Sequence, residues 1–294
     1  RPGGDLDGVL VIDKPAGMTS HDVVQRIRRA VGQSRVGHTG TLDPMATGVV
    51  VVAIGRVTRL IRFVQELPKE YVGVGRFGVA TDTLDADGAI LEQEPMDITA
   101  ADIEAVVPRF VGRIEQLPPM VSALKVGGER LYEIARRGET VEREARMVDV
   151  YELEMTDFAP GPYPEVSFRV VCGKGTYVRS LVDDIARALG GRAHLIALRR
   201  LRVGSLGLDR AVPVDHLDAW EDHLLTPAEA LSDLPQVTVD EAVARGVAHG
   251  AKFGTGPVAD IPEDVPVAVL DETGRLIAVY RRSGRQSRPE VVLA

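Results

Sequence analysis

The densest group of reactive side chains is the run His38-Thr39-Gly40-Thr41-Leu42-Asp43-Pro44-Met45-Ala46-Thr47-Gly48. It holds one carboxylate, Asp43, and one imidazole, His38. The flanking glycines let a ring or a backbone come close, and loops held by a scaffold are where reactive groups sit. Asp43 has two readings. It is a lone carboxylate offered to a ligand, or, as Asp-Pro, the N-cap of a helix starting near Met45. His38 is a satisfied loop histidine or a contact residue.

A second group is Lys174-Gly175-Thr176-Tyr177-Val178-Arg179. At a helix start, Arg179 could reach a carboxylate or a phosphate; on a turn it would be an ordinary surface arginine. Tyr71 and Tyr177 read as core rings or as stacking platforms. With only 13 Phe, Trp and Tyr in the chain, aromatics beside basic, glycine-rich loops suit unpaired bases. Leu198-Arg199-Arg200-Leu201-Arg202 is a basic run, by itself no more than a solvated edge.

Other chemistries fit poorly. The six histidines stand at 21, 38, 194, 216, 223 and 249, without metal-binding spacing, so no metal is expected. There is no phosphate-binding GxxxxGK[ST] loop and no GxSxG. Gly73 to Gly78 lacks the following helix of a dinucleotide site. The single cysteine, Cys172, excludes an internal disulfide and reads as a small core residue.

The elements that position these groups follow from pattern. Gly8–Asp13 reads as a buried strand, and Lys14–Gly17 as a turn. Thr19 with Asp22 opens a helix that ends at Gly32. Residues 33–44 read as loop, and 48–54 as a buried strand or short helix. Residues 70–78 form a strand, 81–88 an acidic turn, and 100–110 and 129–137 helices. Strand 165–171 alternates and leads through Gly173–Thr176 into a helix that ends at Gly190. In the tail, Thr226 with Glu229 and Thr238 with Glu241 read as capping boxes. Strands 266–270 and 275–281 flank the turn Asp271–Gly274. The pattern predicts an α+β fold with a largely antiparallel mixed sheet and flanking helices, and a small C-terminal α/β module after a boundary near 210–225.

Net charge alone argues against a polyanionic partner. The chain has 294 residues and a formal charge of −8. The charge is segregated, however. Residues 1–80 carry 11 basic and 7 acidic side chains, and 166–210 carry 9 and 3. Residues 81–165 carry 8 and 19, and 211–294 carry 7 and 14. A polyanion responds to the local field, not the chain total. The longest apolar run, Val49–Ile54, is too short to cross a bilayer. No apolar signal core opens the chain. No membrane association and a cytoplasmic setting are expected.

Several motifs together resemble the TruB family of tRNA pseudouridine-55 synthases. They are Asp13–Ser20, Val36–Gly48, Gln116–Lys125, Gly175–Arg179, Arg192–Leu195 and Leu198–Leu201, in the family's order over residues 8–210. HxGTLDPxATG is the specific one. The resemblance implies isomerisation of a uridine in the T loop of tRNA, without a cofactor, on the pseudouridine synthase fold. It implies Asp43 as the essential aspartate, Tyr71 as the ring that stacks on the target base, and Arg179 as the partner of the aspartate. Tyr177 and Leu198 would line the pocket. His38 would pack into the T loop, Lys14 and Pro15 would lie beside the site, and Arg199 and Arg200 would face RNA. It implies a catalytic domain over 1–212, with an acidic insert-like region near 81–160, and a PUA-like RNA-binding domain over 213–294. The T arm of tRNA is the implied partner and a monomer the expected state. Two positions depart from the family's pattern: Val121 replaces the usual Tyr and Gly173 the usual Ser. A synthase acting on another RNA and a non-catalytic RNA-binding module are the alternatives; the second has no need of an Asp43–Arg179 pair.

Overall fold

In the computed structural model, which describes residues 6–120, 125–126, 129–130 and 143–293, the two longest β-branched runs become strands buried on both faces. They are β1 (Gly8–Lys14) and β3 (Thr47–Ile54), with α1 (Ser20–Val31) and β2 (Val36–Thr39) between them. Next come α2 (Ile61–Glu66), β4 (Lys69–Phe77), β5 (Val79–Thr81), β6 (Ile90–Gln93), α3 (Ala100–Val106) and β7 (Gly112–Gln116). The short strands β8 (Lys125–Val126) and β9 (Glu129–Arg130) precede β10 (Arg146–Ala159), β11 (Glu165–Cys172), α4 (Val178–Ala188) and β12 (Ala193–Val203). The tail holds β13 (Leu206–Gly207), β14 (Val212–Pro213), α5 (Pro227–Ala230), β15 (Gln236–Thr238) and α6 (Glu241–Ala248). It ends with β16 (Pro266–Leu270), β17 (Leu276–Ser283) and β18 (Gln286–Val292).

The chain divides into two compact units. One contains Arg1–Asp43, Gly48–Leu67 and Arg202–Ala294; the other contains Pro44–Thr47 and Pro68–Leu201.

In the first unit β1 lies antiparallel to β3 with Gly8 opposite Ile54 and Lys14 opposite Gly48, and β14 adds to β1 in parallel. The segment read as loop over 33–44 contains a strand: β2 pairs with β3, with His38 opposite Val52. Pairing with a rigid buried strand overrides the glycine at position 37. Helix α1 is closed at its start by the Thr19–Asp22 capping box and at its end by Gly32 in the left-handed region, φ +67°. The tail strands form a second sheet in the order β15-β16-β17-β18. Its Ala268, Leu270, Val279 and Val291 share a core with Val9, Val11, Val49 and Val51. Thr226 and Glu229 form the expected box, but Asp240, not Thr238, caps α6 and accepts from the Val243 N–H. Thr238 is occupied as the last residue of β15, paired with Leu270. Strand β18 is secured from outside its sheet. Arg56, Arg59 and Arg62 donate to the carbonyls of Leu293, Val292 and Glu290.

In the second unit the strands run in the order β12-β4-β11-β10-β7. β4 is antiparallel to β11, with Tyr71 opposite Val170. The glycines of β4 are explained by α4. A Cβ on Gly75 would lie 2.6 Å from Val182, and one on Gly73 2.7 Å from Phe168 and 2.9 Å from the Ala197 carbonyl. Their absence lets the helix and the neighbouring strand close down on β4. The expected helix over 129–137 falls mostly outside the described residues; Glu129–Arg130 pair with Lys125–Val126 as strands. Val121 also lies outside them. No helix among the described residues is long and apolar enough to cross a membrane.

Candidate active site

Asp43 does not cap a helix. Pro44 and Met45 form a turn, and β3 begins at Thr47. The loop before it is held by Ser20, a buried residue on the first turn of α1. Its hydroxyl accepts from the Leu42 N–H at 2.9 Å and donates to the Leu42 carbonyl at 3.3 Å. Both backbone groups of the residue before Asp43 are thus fixed, and the Leu42 side chain is buried. Asp43 itself is half-buried. His38 is half-buried on β2. Lys14 is wholly buried, and its ammonium donates to the carbonyls of Pro15 at 2.9 Å and Met18 at 2.7 Å. It therefore shapes the turn that exposes Pro15 rather than reaching out to a phosphate.

The second unit carries the remaining candidates. Arg179 is 3% exposed in the first turn of α4. It donates to the Thr83 carbonyl at 2.7 Å and lies 3.4 Å from the carboxylate of Asp85. Asp85 is buried too. It accepts from the Thr83 hydroxyl at 2.6 Å and from the Asp87 N–H at 3.1 Å. The acidic turn at 81–88 is thus a built receptor for the arginine. Tyr177 is the N-cap of α4 and lacks a side-chain cap bond. Gln116, 2% exposed, holds it instead. Its side-chain oxygen accepts from the Tyr177 N–H at 2.8 Å, and its amide donates to the Tyr177 carbonyl at 3.1 Å. Ser180 adds a bond to the Leu117 carbonyl at 3.1 Å.

Tyr71 lies on β4 with its ring largely buried. The Arg200 guanidinium is 6.0 Å from the ring centroid and 3.5 Å from the hydroxyl. Arg200 is 1% exposed, so it supports the tyrosine from within the protein. Leu198 lies beside it, 3.2 Å from where a Gly73 Cβ would be. Arg199 is half-buried and donates to the Thr47 hydroxyl at 3.2 Å. Arg200 thus contacts Tyr71, and Leu198 packs at Gly73 on the same strand as Tyr71, while Tyr177 with Gln116 and Arg179 with Asp85 hold the start of α4. Burial pushes the Cys172 thiol up to about 11, leaving it a neutral core residue. No group of three or more His, Cys, Asp or Glu among the described residues is placed to hold a metal ion.

The family model for the N-terminal domain of TruB family pseudouridylate synthases matches residues 28–178. The model for the tRNA pseudouridylate synthase B C-terminal domain matches residues 179–234. The chain belongs to the TruB family. A tRNA pseudouridine synthase B of Symbiobacterium thermophilum is 50% identical over 84% of this chain and 83% of its own. One from Burkholderia mallei is 44% identical over 97% of this chain and 96% of its own. Among solved structures, a chain of a Cbf5-Nop10-Gar1 complex superposes with a TM-score of 0.76 at 28% identity, covering 98% of this chain and 85% of that one. A chain of an H/ACA RNP bound to a substrate RNA containing 2'-deoxyuridine gives a TM-score of 0.74 at 26% identity, over 98% and 85%. The α+β architecture described above is shared with these solved structures and is the fold of the TruB family. As a TruB-family enzyme, the protein binds tRNA and isomerises uridine in it to pseudouridine.

Three residues of the site escaped the sequence reading: Ser20, Asp85 and Gln116. Ser20 and Gln116 stood inside quoted motifs, and Asp85 inside the acidic turn. Their hydroxyl, carboxylate and amide carried no local sign of a distant partner.

Proposed function

We propose that Asp43 is the catalytic carboxylate and that the target is the uridine of the T loop, position 55. The observation that carries this reading is the double grip of Ser20 on Leu42. It presents Asp43 from a fixed loop, and the turn at Pro44 and Met45 leading into β3 leaves no helix there for Asp43 to cap.

The isomerisation breaks the N1–C1′ bond, turns the uracil, and forms a C5–C1′ bond; C5 loses a proton and N1 gains one. The base must first leave its stack, which costs a few kcal/mol. In this reading His38 fills the vacated place in the loop. Tyr71 stacks on the extruded ring and Leu198 walls the other side, so that the detached uracil turns without escaping. Arg200 supports Tyr71, and Tyr177 lines the pocket at the head of α4. Asp43 acts ionised whether it adds to the base, attacks C1′ or removes the 2′ proton. A charge-assisted pair with Arg179 favours that ionised form and fixes its direction. Pro15, on the turn shaped by Lys14, and Arg199 face the RNA.

Residues 1–212 serve as the catalytic domain and 213–294 as a PUA-like RNA-binding domain. The enzyme acts as a monomer on the T arm, in the cytoplasm, where a lone buried thiol suits the reducing setting. Incubation of unmodified tRNA with wild-type protein and with Asp43→Asn, followed by position-by-position mapping of pseudouridine, tests the reading. Wild type modifies position 55; Asp43→Asn binds RNA and gives no product. Turnover by the variant, or modification elsewhere, would overturn it.

A further inference from the structure

Tyr151 is 51% exposed and stands on β10 one residue beyond the last pair with β7, Val150 opposite Gly112. Alternation with the buried Val148 and Val150 sets its direction, and the register then breaks. Val150 is opposite Cys172 and Glu152 opposite Val171, so Tyr151 is the extra residue of a β-bulge. Bulges re-aim a side chain and recur beside active sites. This one turns the phenol over the loop that starts α4. A Cβ on Gly173 would lie 3.2 Å from the Tyr151 hydroxyl and 3.5 Å from the Asp149 Cβ. The loop is tied to the same strand: the Gly173 N–H donates to the Asp149 carbonyl at 2.8 Å, and the Thr176 hydroxyl lies 3.5 Å from it. Gly173, one of the two departures from the family's pattern, is therefore the seat of Tyr151.

We propose that Tyr151 is an RNA-contacting residue, a stacking platform for an unpaired base near the nucleotide that is isomerised. Two independent features support this. An aromatic face is held out on a bulge, with the loop of the catalytic helix beneath its hydroxyl end. Its strand surroundings also suit a nucleotide: Met147, on the same exposed face of β10, offers apolar surface, and the exposed Arg113, opposite Asp149 on β7, offers charge to a phosphate. Asp149 and Glu152 lie on the same strand and oppose a purely electrostatic contact, so the ring carries the binding. Stacking of one base on one ring tolerates any base and is worth about 5- to 150-fold in affinity.

The proposal rests on the enzyme's action on tRNA, and the experiment separates the two. Pseudouridine formation on an unmodified tRNA transcript is followed for wild type, Tyr151→Ala and Tyr151→Phe, with a melting curve for each protein. Tyr151→Ala raises KM at least about fivefold and leaves the saturating single-turnover rate within about twofold; Tyr151→Phe, which keeps the ring, stays within about twofold of wild type in both. An unchanged KM in Tyr151→Ala, or a Tyr151→Phe as weak as Tyr151→Ala, overturns the proposal. Photocrosslinking of T-loop 4-thiouridine to wild-type protein supplies a readout that needs no folded variant. A crosslinked peptide containing Tyr151 supports the contact, and crosslinks only elsewhere overturn it. Loss of wild-type turnover in the same assay would instead sink the tRNA reading itself.

Discussion

Gln116 holds Tyr177 by both of its backbone groups, at 2.8 and 3.1 Å, across 61 residues of sequence. The helix that carries Arg179 starts at the next residue, so this side chain does what a helix cap does elsewhere. Gln116→Met keeps the volume and removes both bonds. The part-buried Tyr177 N–H then loses its partner, at about 1 to 2 kcal/mol, while the carbonyl keeps its helical bond from the Leu181 N–H at 3.0 Å. A loss of that size in urea unfolding is expected. Arg179 moves with the start of the helix, and a misplacement of about 1 Å costs roughly 100-fold in rate. kcat on tRNA should therefore fall by at least about tenfold while KM changes less. A variant with wild-type kcat would show that Gln116 only packs.

Asp85 compensates the buried Arg179 charge within its own unit. Asp85→Asn keeps the shape and removes the charge. Breaking one side of a buried pair costs about 3 kcal/mol, and the arginine loses part of its orientation. The expected result is a lower urea midpoint and a kcat lowered by at least about tenfold. Asp87→Asn, at an exposed carboxylate that only flanks the turn, should leave both unchanged. Equal effects of the two substitutions would argue against the pairing.

What was legible in the chain was local. β1 announces itself as a β-branched run, α1 by its capping box and terminal glycine, and the β16–β17 turn by Asp271–Gly274, whereas the run that forms β3 was legible only as buried, strand or short helix. The motif residues were legible as types: a lone loop carboxylate, an arginine at a helix start, scarce tyrosines. What was hidden depends on separation in sequence. Ser20 reaches Leu42 across 22 residues, and Arg179 reaches Thr83 across 96. Burial was hidden too. The resemblance puts Lys14 beside the site and Arg200 toward RNA, and neither expectation carries a sign of burial; Lys14 donates to two backbone carbonyls and Arg200 lies against the Tyr71 ring. β2 was hidden because a short, glycine-containing segment has no pattern of its own and takes its conformation from β3.

The three arginines on β18 predict a local effect. Arg59 and Arg62 are exposed, yet each donates to a strand carbonyl, and Arg62 also pairs with Glu290 at 3.1 Å. Arg59→Ala with Arg62→Ala removes two bonds of about 1 kcal/mol each. The double variant should melt a few degrees lower, with faster amide exchange concentrated over residues 286–293. Uniform acceleration across the protein would mean that the arginines do not act on the strand.

Asp184 gives the pH prediction. Burial, and then the neighbouring Asp183, push its carboxyl up to about 6, with Arg187 partly opposing them. In the unfolded chain the same group titrates near 3.8. Between those values the folded protein holds the proton and the unfolded chain has released it. The folded state binds more protons there, so this group's contribution to stability falls as pH rises from about 4 to about 6. Above that range the folded state carries an unfavourably placed charge. Asp184→Asn removes the charge and keeps the shape. At pH 7.5 it should stabilise by about 1 kcal/mol, a figure reduced from the bare shift because the carboxyl keeps partial access to water. At pH 4 the gain should vanish, because wild type is then already neutral at this position. Unfolding by urea at both pH values decides it: an equal gain at pH 4 and 7.5, or none at 7.5, would show that the charge of Asp184 is not what costs stability.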